Sequence, residues 1–266
     1  MSVIIEVQDL VKRFGSHTAV DHISFAIEEG ETFGLLGPNG AGKTTTIRML
    51  TTLIPPTSGI MRIAGVDIRT HQTGVRRLLG YVPQSLSADG ALTGYENLLM
   101  IAKLLGFPHK ERQQRIAEIL DLLNLTEAAD QLVNTYSGGM VRRLEIGQAI
   151  LHRPRILVLD EPTVGLDPIA RHAVWQTLET LQQQTHMTLL VTTHYMEEAD
   201  EHCQRVAIMD RGRIAVIGTP RELKATQPQP DATLEDVFTN VTGSTLESGG
   251  SYREVRQLRR RVRRFG

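Results

Sequence analysis

The chain has 266 residues, of which 41% are hydrophobic and 22% charged, with one cysteine, Cys203, and a formal net charge of −1. This composition excludes a disordered chain and a secreted disulfide scaffold, and the net charge gives no reason to expect a nucleic-acid partner. The apolar runs extend for four or five residues, far short of the roughly 20 that a membrane helix needs. Residues 1–9 include acids and lack a basic region, so we predict no signal peptide and a cytosolic chain.

The first part of the chain predicts strands that lead to a glycine-rich loop. Strands are expected at residues 3–7, 23–27 and 31–36, where β-branched runs alternate with turn residues. The third strand continues into the loop at 37–45, and a helix with one apolar face follows. The residues expected on that buried face are Ile47, Met49, Leu50 and Leu53.

A helical insertion interrupts the strands in the middle of the sequence. After a short strand predicted at 60–63, apolar residues recur at helical spacing between residues 93 and 151. They are Leu98, Ile101, Ala102, Leu105, Ile116, Ile119, Leu120 and Leu123. Further strands are predicted at 155–160, at 188–193 and in a hairpin of 205–209 with 213–217. The helices therefore form a subdomain set into an α/β core.

The C-terminal part differs in composition. A short helix is predicted at 221–225, a proline-containing linker at 227–230 and a flexible Ser-Gly segment at 248–251. Residues 253–264 contain seven arginines and one acid, a charge of about +6. We interpret this tail as a solvated segment, and attraction to anionic lipid is the functional alternative.

A phosphate-binding loop is the strongest local motif. Gly37, four intervening residues and Gly42-Lys43-Thr44 match the pattern in which glycines let backbone N–H groups face phosphates. The lysine would reach the β and γ phosphates, and the threonine hydroxyl would bind Mg²⁺. A glycine turn before an ordinary helix is the alternative. The position between a predicted strand and a predicted helix favours nucleotide binding.

Two adjacent carboxylates, Asp160 and Glu161, follow the apolar strand residues 156–159. A carboxylate next to a buried strand is unfavourable unless a cation or water meets it. Asp160 suits the coordination shell of Mg²⁺, and Glu161 could act as the general base on an attacking water. Solvated acids at a strand end are the alternative, which the upstream phosphate loop disfavours.

A second helix start carries the sequence Ser137-Gly138-Gly139. The serine can cap the helix, and the exposed N–H groups of the first turn attract a phosphate. A cap without a ligand is the alternative interpretation. The sequence by itself leaves both open.

Six motifs in register resemble the nucleotide-binding subunit of ATP-binding cassette (ABC) transporters. They are the loop 37–45, Gln84, Ser137-Gly138-Gly139, Asp160-Glu161-Pro162, Gly165-Leu166-Asp167 and His194. The resemblance covers roughly residues 3–220 and implies an α/β fold. That fold is a P-loop NTPase core with an antiparallel β subdomain and an inserted α-helical subdomain at about 85–152. Residues 1–220 would form the ABC ATPase domain, and 221–266 a C-terminal extension with the arginine-rich tail.

The resemblance also implies ATP and Mg²⁺ as ligands and assigns site residues. Phe14 would stack on adenine, with burial in the core as its alternative, and His194 would hold the γ-phosphate and orient Glu161. Gln84 would sense Mg²⁺ and the attacking water, and Asp167 would couple two sites. Ser137, Gly138 and Gly139 would contact ATP on a partner copy. The loop residues carried over are Asn39, Gly40, Ala41, Gly42, Lys43, Thr44 and Thr45, and the metal set is Thr44, Gln84 and Asp160.

Variant positions resemble one branch of this family. Tyr136 and Met140 replace the leucine and glutamine that usually flank Ser-Gly-Gly, so a side-chain hydrogen bond from the last position is lost. Together with segments 50–53, 57–59 and 233–238, this variant is similar to the daunorubicin-type antibiotic-resistance ATPases.

The implied function is an ATPase subunit at the cytoplasmic face of the membrane. Two copies would close head to tail around two ATP molecules and drive a polytopic permease that exports drugs, antibiotics or other hydrophobic small molecules. A soluble ABC-type ATPase acting on ribosomes or nucleic acid, an import ATPase, and a kinase or GTPase outside the family are the alternatives. The cargo itself cannot be predicted from this subunit.

Overall fold

A computed structural model describes residues 2–243. The elements of its first half are β1 (Val3–Phe14), β2 (His17–Glu28), β3 (Thr32–Leu36), α1 (Lys43–Leu50), β4 (Ser58–Ile63), β5 (Val66–Asp67), α2 (Gln72–Leu78), β6 (Leu79–Val82), α3 (Gly94–Leu104) and α4 (His109–Leu122). Those of its second half are α5 (Gly138–Ile150), β7 (Ile156–Asp160), α6 (Pro168–Thr185), β8 (Thr188–Thr193), α7 (Met196–His202), β9 (Arg205–Asp210), β10 (Arg213–Gly218), α8 (Pro220–Ala225) and α9 (Leu234–Thr242).

One sheet is antiparallel and has four strands in the order β2-β1-β4-β5. Its two long strands pair as a hairpin in which Val7 lies opposite Phe25. The predicted strands 3–7 and 23–27 are therefore the apolar parts of longer strands. The register shifts between Val7 and Leu10, and Asp9 there has a φ of 48°; β1 continues past this irregularity with the buried residues Leu10 and Val11.

The other sheet has six strands in the order β10-β9-β3-β8-β7-β6. All of them are parallel to their neighbours except the edge strand β10, which is antiparallel to β9. In this register Leu36 pairs with Thr193, and Asp160 pairs with Thr192. The carboxyl ends of β3, β7 and β8 therefore lie side by side, the edge where α/β sheets bind ligands.

The helical insertion follows β6 and contains α3, α4 and α5. Leu98, Ala102, Ile116, Leu120 and Leu123 are buried in one apolar cluster with residues of α5 and β7, as the helical spacing predicted. The chain thus has an α/β core, an antiparallel sheet and an inserted helical region, the predicted fold class. Within residues 2–243, no helix combines the length and apolar character required to cross a bilayer.

Two predicted core positions are wrong. Leu53 is 59% exposed and Leu105 is 41% exposed. Both follow the last residue of their helix, since α1 ends at Leu50 and α3 at Leu104. The helical spacing that places every third or fourth residue on one face no longer applies there.

The helices after residue 220 pack against the six-stranded sheet. Leu223 of α8 and Val237 and Phe238 of α9 are buried in a cluster with Leu36 and Ile208 of the sheet. The boundary at residue 220 stays a prediction. The Ser-Gly segment 248–251 and the arginine-rich tail lie outside the described residues.

Candidate active site

The loop between β3 and α1 has a conformation that demands glycine. Gly37, Gly40 and Gly42 have φ angles of 150°, 82° and 106°. A Cβ on Gly37 would lie 2.1 Å from the carbonyl oxygen of Met209, and one on Gly42 would lie 2.5 Å from that of Ala19. The backbone therefore passes very close to β9 and β2, and α1 begins at Lys43 directly after Gly42. This strand, loop and helix order suits a phosphate at the helix start.

Lys43 is buried, with only 4% of its side chain exposed. Its Nζ donates hydrogen bonds to the carbonyl oxygens of Gly37 at 2.7 Å and Pro38 at 3.1 Å. The same ammonium lies 3.2 Å from Oε1 of Glu161. The structure therefore joins the phosphate loop to the carboxylate after β7 by an ion pair.

Thr44 and Asp160 form a pair of oxygen donors. The Thr44 hydroxyl donates to Oδ1 of Asp160 at 3.2 Å, and the Thr192 hydroxyl donates to the same oxygen at 2.6 Å. A hydroxyl beside a carboxylate at the start of α1 is the donor set that Mg²⁺ takes in a phosphate site. The residues present therefore fit an Mg²⁺–nucleotide complex.

Glu161 turns away from the course of β7. Its φ is 49°, a left-handed conformation that is uncommon outside glycine, and its N–H lies 3.0 Å from the Thr192 hydroxyl oxygen. In a regular strand, neighbouring side chains point to opposite faces. The turn at Glu161 breaks that alternation and directs its carboxylate toward two partners. Oε1 contacts Lys43, and Oε2 lies 3.0 Å from Nδ1 of His194.

The surroundings of Glu161 act on its pKa in opposite directions. Burial raises the pKa of the Glu161 carboxyl, but the hydrogen bond with His194 and the charge of Lys43 lower it by more. The net result is a pKa below the usual value, so the carboxylate is ionised at neutral pH and able to accept a proton.

The structure brings together Lys43, Thr44, Asp160, Glu161 and His194, and we call these five residues the carboxylate cluster. Ser137, Gly138 and Gly139 lie at the start of α5 and, within residues 2–243, make no hydrogen bond or ion pair with the cluster. The Ser137 hydroxyl oxygen accepts a hydrogen bond from the Met140 N–H at 3.3 Å, the predicted cap. A Cβ on Gly139 would lie 2.8 Å from the Cβ of Ala170 in α6.

Of the remaining predicted residues, Ala41 is buried in the loop and Thr45 is partly buried in α1, whereas the others are at the surface or cap a helix. Phe14 is 50% exposed at the end of β1, so its alternative interpretation as a core residue is wrong. Asn39 and Gly40 are exposed at the tip of the loop, and Gln84 is exposed after β6. Asp167 caps α6 by accepting hydrogen bonds at 2.9 Å from the N–H groups of Ile169 and Ala170.

Sequence reasoning missed Thr192 and a second buried group. Glu198 of α7 accepts hydrogen bonds from the Thr163 hydroxyl at 2.7 and 2.9 Å and lies 3.1 Å from the Arg171 guanidinium. Thr163 lies between Glu161 and Asp167, so this contact ties α7 to the segment between two site residues. The sequence offered one signal for each of them. Thr192 carries a hydroxyl two residues before His194, and Glu198 is an acid at a position of α7 where a buried side chain is expected.

Sequence comparison identifies relatives of this chain. The profile of the family described as ABC transporter matches residues 20–164. The linearmycin resistance ATP-binding protein LnrL of Bacillus subtilis (strain 168) is 42% identical over 220 residues, 83% of this chain and 70% of that protein. The daunorubicin/doxorubicin resistance ATP-binding protein DrrA of Streptomyces peucetius is 44% identical over 221 residues, 83% of this chain and 67% of that protein.

Structural comparison leads to the same family. A solved ATP-binding subunit of an ABC transporter has a TM-score of 0.78 and 28% identity, covering 90% of this chain and 99% of the other. A dimeric ATP-binding cassette in a post-hydrolysis state, bound to ADP and phosphate, has a TM-score of 0.72 and 26% identity, covering 81% and 98%. With the phosphate loop and the carboxylate cluster in place, the chain belongs to the ABC transporter family and is an ATP-binding subunit that hydrolyses ATP.

Proposed function

We propose that the chain powers an ABC exporter as one half of a head-to-tail dimer that clasps two ATP molecules. The observation that carries this proposal is that, within residues 2–243, two groups of predicted site residues form no hydrogen bond or ion pair with each other. The carboxylate cluster lies at the sheet edge, whereas Ser137 and Gly139 begin α5 and pack toward α6. A second copy related by a two-fold axis would supply Ser137 and Gly139 to the γ-phosphate at each site.

The phosphate loop binds and orients the nucleotide. Backbone N–H groups from Asn39 to Thr45 surround the phosphates at the positive end of α1. Lys43 exchanges its contact with Glu161 for the β and γ phosphate oxygens when ATP binds. Phe14, whose ring is half exposed, provides a face for adenine.

A small set of oxygen atoms serves the metal. The Thr44 hydroxyl and the Asp160 carboxylate, 3.2 Å apart, would hold Mg²⁺ with the side chain of Gln84. When bound, Mg²⁺ neutralises charge that develops on the phosphate oxygens. The Thr192 hydroxyl fixes the Asp160 carboxylate by its hydrogen bond.

Glu161 accepts the proton of the attacking water. The water oxygen bonds to the γ-phosphorus, the bond to the ADP oxygen breaks, and the proton passes to the Glu161 carboxylate. When Lys43 contacts the phosphate instead of Glu161, Oε1 of Glu161 is free to accept the proton. His194 holds Oε2 and so keeps the carboxylate in one orientation. Asp167, at the cap of α6, would couple the two sites.

The cargo class follows from the relatives. Two of them, 42% and 44% identical to this chain, are named for resistance to linearmycin and to daunorubicin and doxorubicin. We infer an export system for drugs, antibiotics or other hydrophobic small molecules. The chain would lie at the cytoplasmic face of the membrane, held there by a polytopic permease that contains the cargo path.

The decisive experiment uses Glu161→Gln. This variant should bind ATP and accumulate as dimers with little phosphate release, measured by light scattering after size exclusion and by a phosphate assay. Glu197→Gln, an exposed acid on α7, is the matched control and should behave like wild type. A saturated Glu161→Gln protein that stays monomeric, even with its membrane partner, would contradict the dimer.

Export is tested separately by purification from detergent-solubilised membranes. A polytopic protein that co-purifies with the chain supports the transporter. Ribosomes in its place would favour a soluble ABC-type ATPase, and an additional binding protein would favour import.

A further inference from the structure

A buried ion pair lies in the first two turns of α5. Nη1 of Arg142 is 3.0 Å from Oε2 of Glu145, and the two side chains are 3% and 1% exposed. This pair is separate from the carboxylate cluster. Charged groups of this kind are costly to bury unless several partners meet them.

The partners of Arg142 are main-chain groups of the segment after β6. Its guanidinium donates to the carbonyl oxygen of Pro83 at 2.7 Å and to that of Gln84 at 2.8 Å. The planar fork of an arginine suits two neighbouring carbonyls, which an ammonium would not bridge in the same way.

The partners of Glu145 belong to the same segment. Its Oε1 accepts hydrogen bonds from the hydroxyl of Ser87 at 3.1 Å and from the N–H of Ala88 at 3.3 Å. The N–H of Ser87 is a third donor to this oxygen. Residues 83–88 are thus fixed to α5 at both ends, although the side chain of Gln84 is exposed.

The helix that carries the pair begins at the Ser137 cap. Arg142 lies five positions after Ser137, about 7.5 Å along a helix axis. The helix is a rigid connection over that length. The segment that contains Gln84 and the helix start that contains Ser137 are therefore held at a fixed distance and should move together as one rigid unit.

We propose that Arg142 and Glu145 are positioning residues for ATP hydrolysis, which fix Gln84 and Ser137 relative to each other. This inference rests on the proposed dimer, in which Gln84 faces the ATP of its own chain and Ser137 faces that of the partner. A displacement of Gln84 at one site is then transmitted through α5 to the other site. The pair gives the dimer a mechanical link between its two nucleotides.

Buried ion pairs of this kind are not in general needed for stability. Replacing a buried ion pair by apolar side chains of similar volume is often neutral for folding, whereas removing one partner leaves an uncompensated charge. The double variant Arg142→Met with Glu145→Met therefore separates folding from positioning. If the pair had only a structural role, the double variant would have wild-type activity as well as wild-type stability.

The experiment compares this double variant with wild type in the full chain. We expect a melting temperature within a few degrees of wild type, ATP affinity within about twofold, and a kcat reduced by about tenfold or more, because misplacement by an ångström has effects of this size. Introduced together with Glu161→Gln, the double substitution should also weaken ATP-dependent dimer formation, measured by light scattering.

The matched control is Arg115→Met with Glu111→Met. These residues form a pair in the helical insertion, and Arg115 also donates to a main-chain carbonyl, that of Leu151, at 2.9 Å. The control should keep wild-type kcat. Wild-type kcat and wild-type dimer formation in the Arg142 and Glu145 double variant would overturn the inference. Failure of Glu161→Gln to dimerise would instead contradict the proposed function.

Discussion

The Nζ of Lys43 lies 3.2 Å from Oε1 of Glu161, and both side chains are almost completely buried. One residue belongs to the phosphate loop and the other follows β7, so the contact joins two parts of the site that are 118 positions apart. In a water-poor environment this attraction is stronger than at the surface. Each charge would also be unfavourable to bury if the other were removed.

Removal of Lys43 should therefore destabilise the protein as well as abolish nucleotide binding. Lys43→Met leaves the Glu161 carboxylate buried with His194 as its remaining partner, and we expect a loss of about 3 kcal/mol in the free energy of unfolding. Urea unfolding without nucleotide measures this loss. Lys103→Met, at an exposed position of α3, is the control. A stability equal to wild type would show that the ion pair is unimportant for folding.

His194 should affect turnover more than binding. Its Nδ1 contacts Oε2 of Glu161, so His194→Ala frees the carboxylate to rotate and removes a group that positions the base. We expect kcat to fall by about 10²-fold and ATP affinity to fall by less, because the phosphate loop supplies most of the contacts to the phosphates. Steady-state phosphate release and nucleotide titration separate the two effects. His109→Ala, exposed at the start of α4, should retain wild-type kcat, and the prediction fails if His194→Ala does too.

The phosphate loop allows a test of steric demand. Gly42→Ala places a Cβ 2.5 Å from the carbonyl oxygen of Ala19, so the loop must move, and ATP affinity should fall by about tenfold or more. Gly40→Ala has a similar positive φ but open space around it, so a smaller loss is expected. Gly74→Ala in α2 is the control. Equal affinities for the Gly40 and Gly42 variants would contradict the steric explanation.

Local patterns predicted elements whose identity depends on neighbouring residues in the chain. β8 coincides with the predicted strand 188–193, and Ser137 caps α5 as expected. The strand β1 was predicted only to residue 7, because the polar pair Gln8-Asp9 at the irregularity interrupts the β-branched run, although the buried residues Leu10 and Val11 follow it. A pattern limited to β-branched runs underestimates strands of this kind.

Long-range partners account for what the sequence did not predict. The burial of Arg142 and Glu145 depends on main-chain groups 57 to 59 residues away, and no local pattern signals them. The same holds for Glu198, whose hydroxyl partner is 35 residues distant. Five residues that the motifs named, Lys43, Thr44, Asp160, Glu161 and His194, lie together at the sheet edge, whereas the supporting contacts required the packed structure.

Glu198 gives a prediction for the pH dependence of folding. Burial raises the pKa of the Glu198 carboxyl above the usual 4.5, and the contacts with Thr163 and Arg171 oppose this only in part. Above pH 4.5 the folded protein therefore still holds a proton that the unfolded chain has released. The contribution of Glu198 to the free energy of unfolding therefore decreases as the pH rises from 4.5 through the pKa of the folded state. Above that pKa the contribution no longer changes with pH.

The variant Glu198→Gln lacks this titration. The difference in unfolding free energy between Glu198→Gln and wild type should therefore shift in favour of the variant as the pH increases from 4.5 toward 8. Urea unfolding at a series of pH values measures this difference. Glu197→Gln, the exposed neighbour on α7, corrects for effects of the surface charge. A difference that is constant with pH, or that shifts toward wild type, would show that burial does not dominate at Glu198.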